Sequence, residues 1–179
     1  MKGDLKSILA PIRLLAFDVD GVLTDGSLLA YDSHEMVRVF NAKDSFAIRV
    51  ALMRGYHLAV FTGGETEGVR NRFTTCGMAP EDIYMQCRGK IAALDDFCAR
   101  HGLDRSEVLY IGDDVPDVPV IKAAGIGAVP ADASRDAMKE ADYICDLPGG
   151  KGCLRELIEY VLREQGKWYF EDDDYVKIF

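Results

Sequence analysis

The sequence predicts a three-layer α/β fold, a Rossmann-like parallel sheet with helices on both faces. Three observations carry that expectation. Short continuous apolar runs such as His57-Leu-Ala-Val-Phe61 and Val108-Leu-Tyr-Ile111 lack polar alternation, as in strands covered on both sides. Segments of helical periodicity lie between these runs, which is the rhythm of β–α–β crossovers. Polar or glycine-rich loops follow several of the runs, where open parallel sheets bind ligands.

The elements follow in order. The run around 12–17 (Ile12, then Leu14 to Phe17) is the first strand, ending on two acids. Residues 21–41 fit a β-hairpin flap, with Ser27–Tyr31 and Met36–Asn41 as strands joined by Asp32-Ser-His-Glu35. Further strands are expected near 57–61, 107–111, 126–129 and 142–145, with a weaker one at 82–85. Helices are expected near 44–54, 65–76, 90–101, 117–124, 134–140 and 151–165. The last is the plainest, since Leu154, Leu157, Ile158, Val161 and Leu162 make one apolar stripe with charges opposite. After Gly166 a tail of about 167–179 mixes aromatics with an acid run, and a frayed terminus is expected there, with docking on a neighbouring subunit as the alternative. No repeat or linker divides residues 1–179, so one domain is expected.

Bulk composition narrows the partners. A formal charge of −9 argues against nucleic acid and against an anionic membrane. An anionic substrate must then be received locally, by a metal ion or a few placed cations. The five cysteines form no C-x-x-C pair and read as reduced thiols filling a core, which fits a cytoplasmic protein. The apolar run near the N-terminus is cut by Pro11 and Arg13, so neither a signal peptide nor a membrane span is expected.

The chemistry concentrates at strand ends. Asp18 and Asp20 are spaced i, i+2 directly after the first strand, so at strand spacing two like charges sit side by side. Such a pair needs a cation or a proton. An acidic turn around Asp20-Gly21 is the plainer reading. Thr62-Gly63-Gly64 follows the strand at 57–61, where the hydroxyl and free backbone N–H groups suit an oxyanion; a turn with Thr62 as helix cap would look the same. Lys90 opens a helix against the macrodipole, although surface lysines do this too. Gly112-Asp-Asp-Val-Pro-Asp117 follows the strand at 107–111, and one helix cap does not need three acids. If these ends converge, Asp18, Asp20 and Asp113 make a hard-oxygen cluster suited to Mg²⁺. Thr62 and Lys90 would grip a phosphoryl group. Asp18 would be the nucleophile, and Asp20 would protonate the leaving group and then activate water.

These residues resemble the haloacid dehalogenase-like phosphotransferases, whose D-x-D-G motif stands here as Asp18-Val-Asp-Gly21, followed by Thr62, Lys90 and the loop from Asp113 to Asp117. The resemblance implies Mg²⁺ held by the Asp18 carboxylate, the Asp20 backbone carbonyl and Asp113, with Asp114 and Asp117 behind them holding waters or Lys90. Asp18 to Gly26, Phe40-Asn-Ala-Lys-Asp44 and Pro148 to Glu156 narrow the resemblance to 3-deoxy-D-manno-octulosonate 8-phosphate phosphatases, over about residues 11–166. That group implies cytoplasmic enzymes of lipopolysaccharide sugar synthesis. It also implies no cap domain and a homotetramer in which a neighbouring subunit closes the site. Asn41, Lys43, Asp44, Gly63 and Gly64 would then contact substrate, although Lys43 and Asp44 equally suit a helix start. Gly64 stands where that group usually has arginine, with Arg70 or Arg72 as substitutes; Ser45 and Cys153 replace a common glycine and alanine. The rival readings are a 9-phosphate phosphatase of sialic-acid-type sugars, a receiver-like switch that keeps its phosphate, and an inactive scaffold.

Overall fold

The structure is a computed structural model that describes residues 8–32 and 36–178. Its centre is β1 (Leu14–Phe17), a four-residue strand with every side chain buried. Leu15 and Phe17 enter one apolar cluster and Leu14 and Ala16 the other, because alternate strand residues point to opposite faces. β1 pairs in parallel with β4 (His57–Phe61) on one side and β6 (Val108–Ile111) on the other. The six-stranded sheet runs β5 (Ile83–Tyr84), β4, β1, β6, β7 (Ile126–Val129), β8 (Tyr143–Ile144), parallel throughout. The two edge strands are only two residues long. Each has one neighbour, so the outer residues of the apolar runs at 82–85 and 142–145 have no ladder to join.

Three helices cover one face: α1 (Ala42–Met53), α2 (Glu67–Thr74) and α6 (Cys153–Glu164). α3 (Lys90–His101), α4 (Val118–Ala123) and α5 (Arg135–Glu140) cover the other. The fold class expected from sequence is therefore the one observed. Between β1 and β4 the described chain holds only β2 (Leu29–Ala30), β3 (Met36–Val37) and α1, so no cap domain is inserted there. Among the described residues no helix is long and apolar enough to cross a membrane.

Two expectations need correction. The hairpin pairs only Leu29 with Val37 and Ala30 with Met36, not the longer strands expected, and Ser33–Glu35 of its connection lie outside the described residues. It forms a separate two-stranded sheet, so nothing extends its ladder, and isolated hairpins are marginal. The tail is not frayed. Trp168 and Phe170 pack within 6.3 and 5.9 Å of the Phe46 ring on α1, and Arg155 lies 4.6 Å over Trp168. Arg54 joins Asp174 of the short α7 (Asp174–Lys177) at 2.8 Å and also holds the Lys167 carbonyl. Trp168 and Phe170, which an acid-rich run would otherwise expose, thus find partners on α1 and α6 of the same chain.

Candidate active site

β1 lies where the chain leaves for opposite sides of the sheet, with β4 and β6 as its neighbours. Such a switch point opens a crevice beyond the carboxyl ends of the strands. Asp18 is the first residue past β1, and its N–H donates to the Ile111 carbonyl at 3.0 Å. Thr62 is the first past β4, with its N–H on the Tyr84 carbonyl at 3.0 Å. The next loop reaches back to it, since Cys87 N–H donates to the Thr62 carbonyl and Gln86 N–H to the Gly64 carbonyl. Asp113 and Asp114 follow β6, and Asp117 closes a 3₁₀ turn, Val115–Asp117. Lys90 is the first residue of α3. All four segments meet in one cleft of about 600 Å³, lined by Asp18, Asp20, Gly63, Lys90, Asp113 and Asp117 among others.

The contacts within it are specific. Lys90 Nζ lies 2.6 Å from Asp117 Oδ1 and 2.9 Å from Asp18 Oδ2, and the lysine is 7% exposed. Burial alone would lower its pKa, but Asp18 and Asp117 outweigh it and the net shift is upward. Asp117 is fully engaged: Lys90 and the Tyr110 hydroxyl donate to one oxygen, and the Asp113 and Asp114 amides to the other. Asp18 is pushed above the ordinary carboxylate range by burial, against the pull of Lys90 and with the push of Asp117. Asp113 is raised to about 7, by burial first and then by Asp117, Asp18 and Asp114. Thr62 is 1% exposed, and its Oγ1 accepts from Gly64 N–H at 3.0 Å.

Oxygens of Asp18, Asp113 and Asp117 come within 4.8 Å of one another. The donor set is entirely hard oxygen and carries more negative charge than Lys90 balances, so it fits a divalent cation of the Mg²⁺ kind. Asp117 is spent on Lys90, Tyr110 and the loop amides, which leaves Asp113, and Asp18 with one contact on each oxygen, as the carboxylates with room for the ion. Glycines make this closeness possible. Gly21 has φ +82°, and a Cβ there would stand 2.0 Å from Asp113 Oδ2. The loop around it rests on Pro148-Gly-Gly, where a Cβ on Gly149 would lie 2.0 Å from the Gly21 carbonyl oxygen.

A family description for haloacid dehalogenase-like hydrolases matches residues 72–157. The 3-deoxy-D-manno-octulosonate 8-phosphate phosphatase of Salmonella typhi is 35% identical over 156 residues, 87% of this chain and 82% of that one. The chain belongs to the haloacid dehalogenase-like hydrolases. Among solved structures, the phosphatase of the same name from Yersinia pestis superposes with TM-score 0.87 at 31% identity, covering 91% of this chain and 87% of that one. The Moraxella catarrhalis enzyme, solved with a magnesium ion, a phosphate ion and a KDO molecule, gives TM-score 0.86 at 28% identity, over 97% of this chain and 98% of that one.

In this hydrolase Asn41, Lys43 and Asp44, expected to contact substrate, lie outside the lining of the acid cleft. Asn41 caps α1, accepting from Lys43 N–H at 2.9 Å, and its amide reaches the Gly150 carbonyl at 3.4 Å. Lys43 is exposed and outside the cleft lining. Asp44 is 2% exposed and accepts from the Arg155 amide at 2.8 Å, which ties α1 to the start of α6; its other oxygen has no partner, and burial lifts its pKa to about 6. Asn41 thus serves as a helix cap and Asp44 as a tie between helices, while the Lys43 side chain is exposed. Gly63 does line the cleft, and Gly64 supports Thr62.

The two arginines expected as substitutes for the missing one stand outside the acid cleft, Arg72 on the wall of the cavity beside it. Arg70 holds the Pro80 carbonyl, and Arg72 holds Ser45 Oγ beneath the Phe40 ring. Neither lines the acid cleft. Besides Lys90 and Arg88, which line the cleft, Arg38 reaches its acids from the end of the hairpin. Its Nε and Nη2 bind both Asp20 oxygens, at 2.7 and 2.9 Å. Sequence reasoning missed it because one arginine in the run Met36-Val-Arg-Val-Phe40 reads as the solvated side of a strand.

Proposed function

We propose that this chain is a Mg²⁺-dependent phosphomonoesterase that releases phosphate from 3-deoxy-D-manno-octulosonate 8-phosphate in lipopolysaccharide sugar synthesis. The observation that carries the chemistry is the arrangement of Asp18, Asp113 and the Lys90–Asp117 pair at adjacent strand ends. The substrate is supported by the phosphatases it matches across most of their length.

The roles follow from what each group can do. Lys90 and the Thr62–Gly64 turn hold phosphoryl oxygens in line with Asp18. The Asp18 carboxylate attacks phosphorus, the bond to the sugar oxygen breaks, and Asp20 delivers a proton to the leaving alkoxide. Asp20 then takes a proton from water, which attacks the aspartyl phosphate and returns Asp18 and free phosphate. Asp117 keeps Lys90 charged and aimed. When bound by the Asp18 and Asp113 carboxylates and the Asp20 carbonyl, Mg²⁺ supplies charge neutralisation to the carboxylates and the phosphoryl group.

Residues 1–179 then form one hydrolase domain at work in the cytoplasm. A homotetramer, with the neighbouring subunit completing the site, is supported by the exposed apolar side chains of the hairpin, Leu28, Leu29, Tyr31, Met36, Val37 and Val39.

The test is a panel of sugar phosphates assayed with Mg²⁺. The eight-carbon sugar-acid 8-phosphate is expected to turn over with the highest kcat/KM. A nine-carbon 9-phosphate doing better would move the assignment to sialic-acid-type sugars, and one phosphate retained per chain without turnover would indicate a switch. Acidity supplies a second check. Asp113 must lose its proton to take the ion, and its carboxyl is raised to about 7. The Mg²⁺ concentration for half-maximal rate should therefore rise as pH falls from about 8 to 6, approaching tenfold per pH unit at the acid end. A requirement flat across that range would count against Asp113 as a ligand.

A further inference from the structure

Beside the acid cleft lies a second cavity of about 520 Å³, between the hairpin and α2. Its lining includes Arg38, Arg72, Asn71, Thr66 and Phe40, with Glu67 as the acid. In a chain of net charge −9 this cavity is a local excess of guanidinium. Arg38 belongs to its wall, yet its guanidinium reaches out of it to both oxygens of Asp20, which line the catalytic cleft. One side chain therefore joins the two cavities. It is 5% exposed, and its remaining Nη1 donates to the Met36 carbonyl at 3.0 Å and to Thr66 Oγ1 at 3.2 Å.

Position 64 explains why it can stand there. A Cβ on Gly64 would meet Arg38 Nη2 at 3.2 Å and Thr62 Oγ1 at 3.3 Å, so any longer side chain would crowd the guanidinium. Glycine at 64 and arginine at 38 are thus spatially complementary: the space vacated beside Thr62 is taken by a cation from a different element. A planar guanidinium with paired N–H groups is matched to a carboxylate, and in this structure Asp20 is that carboxylate.

We infer that Arg38 is the residue that binds the carboxylate of a sugar-acid substrate seated in this second cavity, exchanging the Asp20 carboxylate for the substrate's own. This rests on the sugar-acid phosphatase reading above. The phosphoryl end has its own donors in Lys90 and the Thr62–Gly64 turn, with Arg88 on the wall of the same cleft. In the second cavity Arg72 is held by Ser45 Oγ, and Arg38 is the guanidinium already paired with a carboxylate and so the one matched to the substrate's other charged end. The exchange makes the substrate's carboxylate a condition of reactivity: it occupies the guanidinium and leaves Asp20 free for the leaving oxygen. A neutral sugar phosphate has nothing to offer Arg38, which then stays on Asp20.

The experiment compares wild type, Arg38→Met and Arg38→Lys on 3-deoxy-D-manno-octulosonate 8-phosphate, glucose 6-phosphate and p-nitrophenyl phosphate, each at saturating Mg²⁺. Wild type is expected to favour the carboxylated substrate strongly. Arg38→Met should lower kcat/KM on that substrate by about 30- to 100-fold and leave the two neutral-bodied phosphates unchanged or faster, since Asp20 is no longer held, so the preference collapses. Arg38→Lys, which keeps the charge but loses the paired geometry, should fall between. An equal loss on all three substrates would make Arg38 a structural tie and overturn the inference, as would a preference that survives in Arg38→Met. Wild-type enzyme with no preference for the sugar acid would instead defeat the substrate reading itself, before any variant is compared.

Discussion

Asp18→Asn is expected to lower turnover by roughly 10⁴-fold or more while leaving the fold intact. The loss is large because no other group could form the bond to phosphorus: Asp113 comes from the loop after β6, Asp20 is paired with Arg38, and Asp117 is tied to Lys90, Tyr110 and two backbone amides. The fold should survive because asparagine keeps the shape and its oxygen can still accept from Val19 N–H, a bond now 2.7 Å long. Lys90 loses one partner and keeps Asp117 at 2.6 Å. A buried carboxylate that burial has already made unfavourable also disappears. Steady-state kinetics with circular dichroism and thermal melting of the same preparation checks both halves. A variant that keeps more than about a tenth of wild-type rate would mean that phosphorus is attacked by something else.

Asp113→Asn should separate catalysis from stability in opposite directions. Its carboxyl titrates near 7 in the folded chain against 3.8 as the ordinary value, so folding favours the protonated form. The sign follows directly: folding stability without metal increases as pH drops through that interval, and at pH 8 the ionised group is a net cost. Asparagine removes the charge. The metal-free variant at pH 8 should therefore be more stable than wild type by about 1–2 kcal/mol, a figure reduced for solvent screening because the group is only partly buried. In a domain of this size that is a rise of a few degrees in Tm. Mg²⁺ should raise the Tm of wild type and scarcely move the variant, since stabilisation by a ligand tracks its affinity for the folded state. Activity at millimolar Mg²⁺ should fall more than the roughly 10- to 100-fold typical of losing a group behind the ligands. Equal Mg²⁺-induced shifts in both proteins would remove Asp113 from the ion's coordination.

Sequence exposed the frame of this site for a physical reason. In a parallel sheet the polar group that follows a buried strand has only one end of the sheet to occupy, so Asp18, Thr62 and Asp113 could be placed on one edge from the runs Leu14–Phe17, His57–Phe61 and Val108–Ile111 alone. Lys90 was legible because a lysine opening a helix opposes the dipole, and here the acids of two other loops draw it in. What stayed hidden depends on contacts between distant segments. Arg38 joins Asp20 across a turn and a hairpin whose strands proved shorter than their apolar pattern suggested. Asp44 is named by motif likeness alone, and its bond to the α6 backbone at Arg155 could not be read from the chain. The tail's aromatics gave no periodicity to read, since their order comes from Phe46 and Arg54 on and just after α1 and from Arg155 on α6. Tyr110 looked like one more apolar strand residue, and only the fold shows its hydroxyl fixed on Asp117.

The central claim is that acids remote in the chain share one divalent ion and that a side-chain oxygen among them takes phosphorus. Crystals grown with Mg²⁺ and orthovanadate test it most directly. The expected map has the ion in contact with the Asp18 and Asp113 carboxylates and the Asp20 carbonyl, and vanadium within bonding distance of the other Asp18 oxygen. Vanadium separated from Asp18 by a water molecule, or an ion bound without either carboxylate, would contradict it.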